Sequence, residues 1–247
     1  MSIPILRSSR ARVRASTLAV AGARLMEYNS TAAQSHDTAD ASIANLASKL
    51  PEKFPPLTPE ARKFLSRLIR VDQAGELGAD LIYAGQHFVL KRSMPSVAPL
   101  IQHMWDQEIR HHKSFDDLQN KHRVRPSLLS PVWKIAAYGL GVGTALMGKE
   151  AAMACTLAVE TVIGGHYNNQ LRDLVRILDE EVRTSTNGRA SDELRALATT
   201  VSEFRDDELE HLDTAVENDA EKARPYVLLT ETIKNGCRVA VWIAERL

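Results

Sequence analysis

The chain is poor in cysteine, in net charge and in long apolar runs, and each shortage closes off a class of protein. Its 247 residues contain two cysteines, Cys155 and Cys237, both set among apolar neighbours. Two thiols make neither a disulfide framework nor a thiolate metal cage, so they read as buried thiols in a reducing compartment. Thirty-one Lys plus Arg balance thirty-one Asp plus Glu, leaving a formal net charge of zero. General nucleic-acid binding needs a basic face, so nucleic acid is not an expected partner. The most apolar stretch, "VWKIAAYGLGVGTALMG", runs for seventeen residues and carries one charge, Lys134. That is too short to span a bilayer comfortably. β-Branched alternation is also scarce, and long periodic segments free of proline predict an all-α domain.

What is present begins with an unusual N-terminus. Met1 to Met26 holds five arginines (Arg7, Arg10, Arg12, Arg14, Arg24), several Ser and Thr, and no acid before Glu27. This is the composition of a mitochondrial transit peptide, with a disordered basic tail as the plainer alternative. Residues 27–56, rich in Ala, Ser, Thr and Pro, read as processing region and linker. Residues 1–56 are therefore set apart from a folded domain at 57–247. In "PPLTPEARKFL", Thr58 can cap a helix, Pro59 suits its first position and Glu60 complements its dipole. Six helices are predicted, at about 59–91, 96–122, 127–148, 149–183, 190–220 and 223–246. The breaks fall at "MPS", "RPS", "SP", Gly148, "STNGRAS" and Pro225.

The third of these helices has two readings. It is a buried core helix, the commoner use of such a segment, or a monotopic surface dipping into one leaflet. Gly139, Gly141 and Gly143 look like half a dinucleotide fingerprint, but no strand precedes them, and that motif is rejected.

A repeat organises the rest. "DQEIRH", Asp106 to His111, returns one hundred residues later as "DDELEH", Asp206 to His211. Among seventeen Glu, Glu108 and Glu208 alone have His three positions on. Such a pair shares one helical face and can grip a single ion. His112 could compete in the first copy, but the second has Leu212 there, so symmetry selects His111. Upstream, "ELGADLIYAGQ" from Glu76 matches "ETVIGGHYNNQ" from Glu160: Tyr follows each Glu by seven and Gln by ten. The chain thus divides into two tandem halves, about 60–122 and 149–220, each giving a lone Glu and a Glu-x-x-His.

A Glu from each of two helices and Glu-x-x-His from two others is the donor set of a ferritin-like dimetal four-helix bundle. Glu76, Glu108, His111, Glu160, Glu208 and His211 are the expected ligands. Four carboxylates are cancelled by two divalent ions, and oxygen-rich ligation with one imidazole per ion suits iron or manganese. Glu76 and Glu160 lie in apolar or small-residue surroundings, where an unpaired carboxylate is costly. Asp106 and Asp206 either orient the opposite histidine or are solvated charges on a helix exterior.

Several longer segments carry a family resemblance: "RVDQAGELGA", "IYAGQ", "MWDQEIRHH", "RVRPSLLSPVW", "GTALMGKEAAMACTLAVE", "HYNNQLR", "FRDDELEHLD" and "GCRVAVWIAERL". From about residue 60 to the C-terminus the chain resembles the mitochondrial demethoxyubiquinone hydroxylase family of coenzyme Q biosynthesis. The resemblance implies a carboxylate-bridged di-iron monooxygenase with the six ligands above, Glu108 or its partners bridging. It implies O2 as co-substrate and a polyprenyl demethoxyubiquinone or demethoxyubiquinol whose ring is hydroxylated. It implies a peripheral protein on the matrix side of the mitochondrial inner membrane, within a coenzyme Q biosynthetic complex that includes a lipid-binding partner. That setting favours a membrane- or substrate-facing surface for the third helix and the C-terminal helix. NADH is the implied electron donor, with contacts at Arg67, Trp242 and Arg246; the family more often has Tyr at the position of Trp242. Tyr167 is a candidate for gating or hydrogen bonding near the iron, or else a core tyrosine with a satisfied hydroxyl. The competing readings are a quinol oxidase of the alternative-oxidase type, a ferritin-like ferroxidase, and a non-enzymatic quinone-binding or scaffolding subunit.

Overall fold

The structure is a computed structural model that describes residues 57–246, apart from 186, 187 and 189. The transit-peptide and linker reading of residues 1–56 lies outside the described residues. Among the described residues six α-helices follow in order: α1 Pro59–Ser93, α2 Ala98–His122, α3 Ser130–Leu146, α4 Lys149–Thr184, α5 Asp192–Glu217 and α6 Tyr226–Ala244. A 3-10 turn, Ala220–Lys222, joins the last two, and no strand occurs among the described residues.

The helix starts have visible local causes. Thr58 accepts the Ala61 N–H at 3.1 Å with Pro59 in the first turn, as its sequence predicts. Ser191 caps α5 through the Leu194 N–H. Gly148, at φ +116, separates α3 from α4 in a conformation that suits glycine. The expected fifth helix stops short because Asp219 takes a left-handed conformation, φ +72, and the chain tightens into the 3-10 turn.

α1, α2, α4 and α5 form the four-helix bundle. Tyr83, Met104, Met153 and Leu174 are among its fully buried residues. Cross-helix bonds fix the directions: Gln73 and Asp80 of α1 reach Asp116 and His112 of α2, so these two run antiparallel. Tyr83–Glu160 and Gln170–Asp72 set α4 antiparallel to α1 in the same way.

α3 overturns the core-helix reading. It lies on the outside of α1, burying Gly141, Thr144 and Ala145 while Ile135 is 79% exposed. The contact is backbone on backbone. A Cβ at Gly141 would sit 2.0 Å from the Ile82 carbonyl oxygen, and one at Gly85 would sit 2.6 Å from the Tyr138 oxygen. α6 flanks α4 similarly, burying Thr230, Ile233 and Ala244 and exposing Val227, Leu228, Val239 and Trp242. Ala137 and Leu140 of α3 and Ile233 and Cys237 of α6 meet over Ile82, Cys155 and Val159. No helix among the described residues is long and apolar enough to cross a membrane.

Candidate metal centre

Each lone Glu sits on the inner face of a long bundle helix, and each Glu-x-x-His on the inner face of the next. Their ligand atoms form two overlapping groups, Glu76–Glu108–His111–Glu208 and Glu108–Glu160–Glu208–His211, with all atoms of a group within 4.8 Å of one another. Glu108 and Glu208 belong to both. All six residues are 2% exposed or less.

The donor atoms converge without satisfying one another. His111 Nδ1 lies 3.5 Å from Glu76 and from Glu208, and His211 Nδ1 lies 3.0 Å from Glu108 and 3.5 Å from Glu208. Ligands of one small divalent ion stand about 3 Å apart, given bond lengths near 2.1 Å. Glu76 Oε2, both oxygens of Glu108, Glu160 Oε2, Glu208 Oε2 and both Nδ1 atoms have no hydrogen-bond partner. Buried polar atoms are normally paired, so this inward-facing set fits metal ions as the missing partners.

The charges point the same way. Burial, reinforced by neighbouring carboxylates, raises Glu76 and Glu160 and lifts Glu108 to about 8. Burial also pushes Glu208 up, but the imidazoles of His111 and His211, each with Nδ1 3.5 Å away, outweigh it and hold that carboxyl below its ordinary range. The two imidazoles are pushed down by burial and pulled up more strongly by the carboxylates, His111 to about 12 and His211 to about 10. Without cations the cluster balances itself with protons; two divalent ions would take their place.

Around the ligands, the halves brace each other. Tyr83 of α1 donates to Glu160 of α4 at 3.0 Å, and Tyr167 of α4 donates to Glu76 of α1. Tyr167 is thus brought to the centre, and Tyr83 joins it. Its place in the repeated Glu–Tyr–Gln spacing was the available signal.

The far nitrogens of the histidines are held across the repeat as well. His111 Nε2 lies 2.9 Å from Asp207 Oδ2, and His211 Nε2 lies 3.0 Å from Gln107 Oε1. Asp106 and Asp206 do not perform this task, which corrects the histidine-orienting reading and leaves the other, charges on the helix exterior. Asp106 accepts from Gln102, and Asp206 pairs with the guanidinium of Arg205. A residue two before each Glu lies about 200° round the helix and faces away, whereas the residue one before lies about 100° round, against the neighbouring helix. Phe204, also unforeseen, stacks on His111 with centroids 4.0 Å apart. His112 turns outward to Asp80 at 3.0 Å, in keeping with its exclusion as a ligand.

Arg67, Trp242 and Arg246 are not part of this cluster. Arg246 lies 4.2 Å over the Trp242 ring, and Arg67 faces Phe64. Arg70, one turn from Arg67, donates to the Ala244 and Glu245 carbonyls and so ties α1 to the end of α6. Arg67 stands roughly 13 Å along α1 from Glu76, at 1.5 Å per residue.

A four-helix bundle holding two Glu and two Glu-x-x-His sequences about a buried pair of ion positions is the ferritin-like dimetal carboxylate class. Within that class, a family model described as ubiquinone biosynthesis protein COQ7 matches residues 63–244, and the chain belongs to that family. The mitochondrial 5-demethoxyubiquinone hydroxylase of Saccharomyces cerevisiae is 60% identical over 184 residues, 74% of this chain and 78% of that protein. The mitochondrial NADPH-dependent 3-demethoxyubiquinone 3-hydroxylase of Bos taurus is 48% identical over 186 residues, 75% of this chain and 79% of the relative. The 3-demethoxyubiquinol 3-hydroxylase of Rhodospirillum rubrum is 41% identical over 192 residues, 78% of this chain and 82% of its own length.

Proposed function

We propose that the chain is a di-iron monooxygenase that hydroxylates the ring of a polyprenyl demethoxyubiquinone or demethoxyubiquinol in ubiquinone biosynthesis. The observation that carries this is the pair of four-ligand groups sharing Glu108 and Glu208. The names of the relatives supply the substrate. Glu76 and His111 would complete one ion position, Glu160 and His211 the other. An oxygen-rich set with one imidazole per ion favours iron, which when bound supplies the redox chemistry for dioxygen.

The protein's own part is to hold these donors. Tyr83 and Tyr167 each bind one oxygen of a Glu carboxylate and leave the other facing inward. Asp207 and Gln107 fix each imidazole by its Nε2, so that Nδ1 is the free donor. The overall reaction inserts one oxygen atom of O2 into a ring C–H bond. The other oxygen leaves as water, with two electrons and a proton from a nicotinamide nucleotide and one further proton from solvent. Relatives are named NADPH-dependent, and NADH is the donor we assign to this chain, with Arg67, Trp242 and Arg246 as its contacts. The Arg246–Trp242 stack supports these contacts as a nicotinamide-nucleotide site, since it offers a cation and an aromatic residue together.

The exposed apolar sides of α3 and α6 suit a substrate with a lipid tail. They support peripheral attachment to the matrix face of the inner membrane, in a complex whose lipid-binding partner presents the quinone. The catalytic domain spans 57–247, its halves 60–122 and 149–220.

The test is turnover of the iron-loaded protein with demethoxyubiquinone, NADH or NADPH, and isotopically labelled O2, read by mass spectrometry. Label in the quinone ring establishes the hydroxylase. Label in water alone identifies a quinol oxidase and withdraws the proposal. Iron oxidation without an organic product identifies a ferroxidase.

A further inference from the structure

The two ion positions have matching ligands and matching tyrosines, but the groups behind their histidines differ in charge. Behind His111 stands the Asp207 carboxylate, 2.9 Å from Nε2; behind His211 stands the neutral amide oxygen of Gln107, 3.0 Å from Nε2. These residues occupy equivalent places in the repeat, each one before the shared Glu. An imidazole that donates to a carboxylate is the more basic metal ligand, and such outer partners typically change metal affinity about 10- to 100-fold. A carboxylate also accepts a stronger, charge-assisted hydrogen bond than an amide does. Asp207 is one-third exposed, so solvent screens part of its charge, but the bond to a His that is 1% exposed is direct.

Resting on the dimetal reading above, we propose that the two positions are unequal. The Glu76–His111 position fills first and holds its ion more tightly, and Asp207 is the positioning residue responsible. Phe204 adds to the inequality in geometry: it stacks flat on the His111 ring, whereas His211 meets Tyr83 edge-on at 5.7 Å. The flat stack and the Asp207 bond together limit rotation of His111. A centre of this kind passes through a one-ion state with the ion on the α1–α2 side, leaving the Glu160–His211 side the exchangeable one.

The test loads the metal-free full chain with Mn(II). Crystals grown with one equivalent locate the ion by anomalous scattering, and electron paramagnetic resonance in solution counts isolated against paired ions. The expected result is density at Glu76–His111, with isolated Mn(II) until the second equivalent is added. Asp207→Asn should weaken the first binding step about 10- to 100-fold and spread one equivalent over both positions. Asp207→Glu should restore the preference, and Asp207→Asn combined with Gln107→Glu should move the first ion to Glu160–His211. Equal occupancy in the unmodified chain overturns the proposal, as does an Asp207→Asn protein that weakens both positions alike. Mutual repulsion of two ions produces two binding steps even at identical positions, so the location of the first ion is the deciding readout. Failure to bind any Mn(II), by a chain still helical by circular dichroism, would instead remove the dimetal reading itself, and this inference with it.

Discussion

Tyr83 and Glu160 lie on different halves of the repeat, and the tyrosine hydroxyl donates to the carboxylate at 3.0 Å. The reciprocal bond runs from Tyr167 to Glu76. Neither half can complete its own position, so the duplication works only as a pair. Tyr83→Phe removes one oxygen and leaves a buried carboxylate short of a donor. It should keep the fold, cost about 1–3 kcal/mol of metal-free stability, and weaken the Glu160–His211 position about tenfold or more. Metal titrations and thermal melts with and without metal check this, and Tyr167→Phe should do the same at Glu76–His111. Unchanged affinity in both variants would make the crossed bonds incidental.

Sharing makes the four acids unequal. Glu108 and Glu208 belong to both ligand groups, Glu76 and Glu160 to one each. Glu76→Ala or Glu160→Ala should leave about one tightly held ion per chain, since each spares one complete group, whereas Glu108→Ala should reduce both ions together. Metal analysis after desalting decides between these. Glu108→Gln should also raise the metal-free melting temperature at neutral pH, because a neutral amide avoids the cost of protonating a carboxyl that burial and its neighbours lift to about 8. If all four Ala variants lose metal equally, the sharing has no energetic meaning.

Much of this centre was legible in the sequence, because helical offsets of three, seven and ten put residues on one face whatever the tertiary contacts. The six ligands and Tyr167 follow from such offsets, and the helix starts at Thr58 and after Gly148 follow from local capping and breaking residues. What escaped depends on neighbouring helices. Matching identical residues in the two copies picks out Asp106 and Asp206, whereas the groups that hold the histidines, Gln107 and Asp207, differ between copies. Their shared task is set by where α2 and α5 face each other. The outward placement of α3 was also hidden, because an apolar composition does not say whether the apolar side meets protein. The Gly85–Gly141 contact, which sets how α3 sits on α1, joins residues fifty-six apart in sequence.

That contact gives a paired prediction. A methyl at Gly141 would meet the Ile82 carbonyl, which is backbone and cannot swing aside. Gly141→Ala should therefore displace α3 and cost about 1–3 kcal/mol or more, a fall in melting temperature of about 2–4 °C for each kcal/mol. A methyl at Gly143, on the same helix, would have nothing within 4 Å. Gly143→Ala should stabilise by about 0.5–1 kcal/mol, because alanine is the better helix former. Equal effects from the two would show that the close approach is relaxed in solution.

Proton and metal should compete across neutral pH. Glu108, raised from 4.5 to about 8 when folded, binds a proton that the unfolded chain gives up, so it costs the metal-free fold stability as pH climbs from about 4.5 to 8. His111 and His211, raised from 6.5 to about 12 and about 10, add stability that is complete below 6.5. That contribution drains away as pH rises toward 10 and beyond. Glu208 is depressed and works in the opposite sense, but its contribution is complete once pH is above about 4.5, the ordinary carboxylate value, and does not grow further. The sum is a metal-free protein whose melting temperature falls between pH 6.5 and 9. Metal affinity should move the other way over the same interval, because each ion displaces protons from these groups. Calorimetric titration with Mn(II) in buffers of different ionisation enthalpy counts the protons released, and melts at pH 6.5 and 9 give the stability. Proton release near zero at pH 7, with a melting temperature independent of pH, would mean that the empty cluster holds its charges unprotonated.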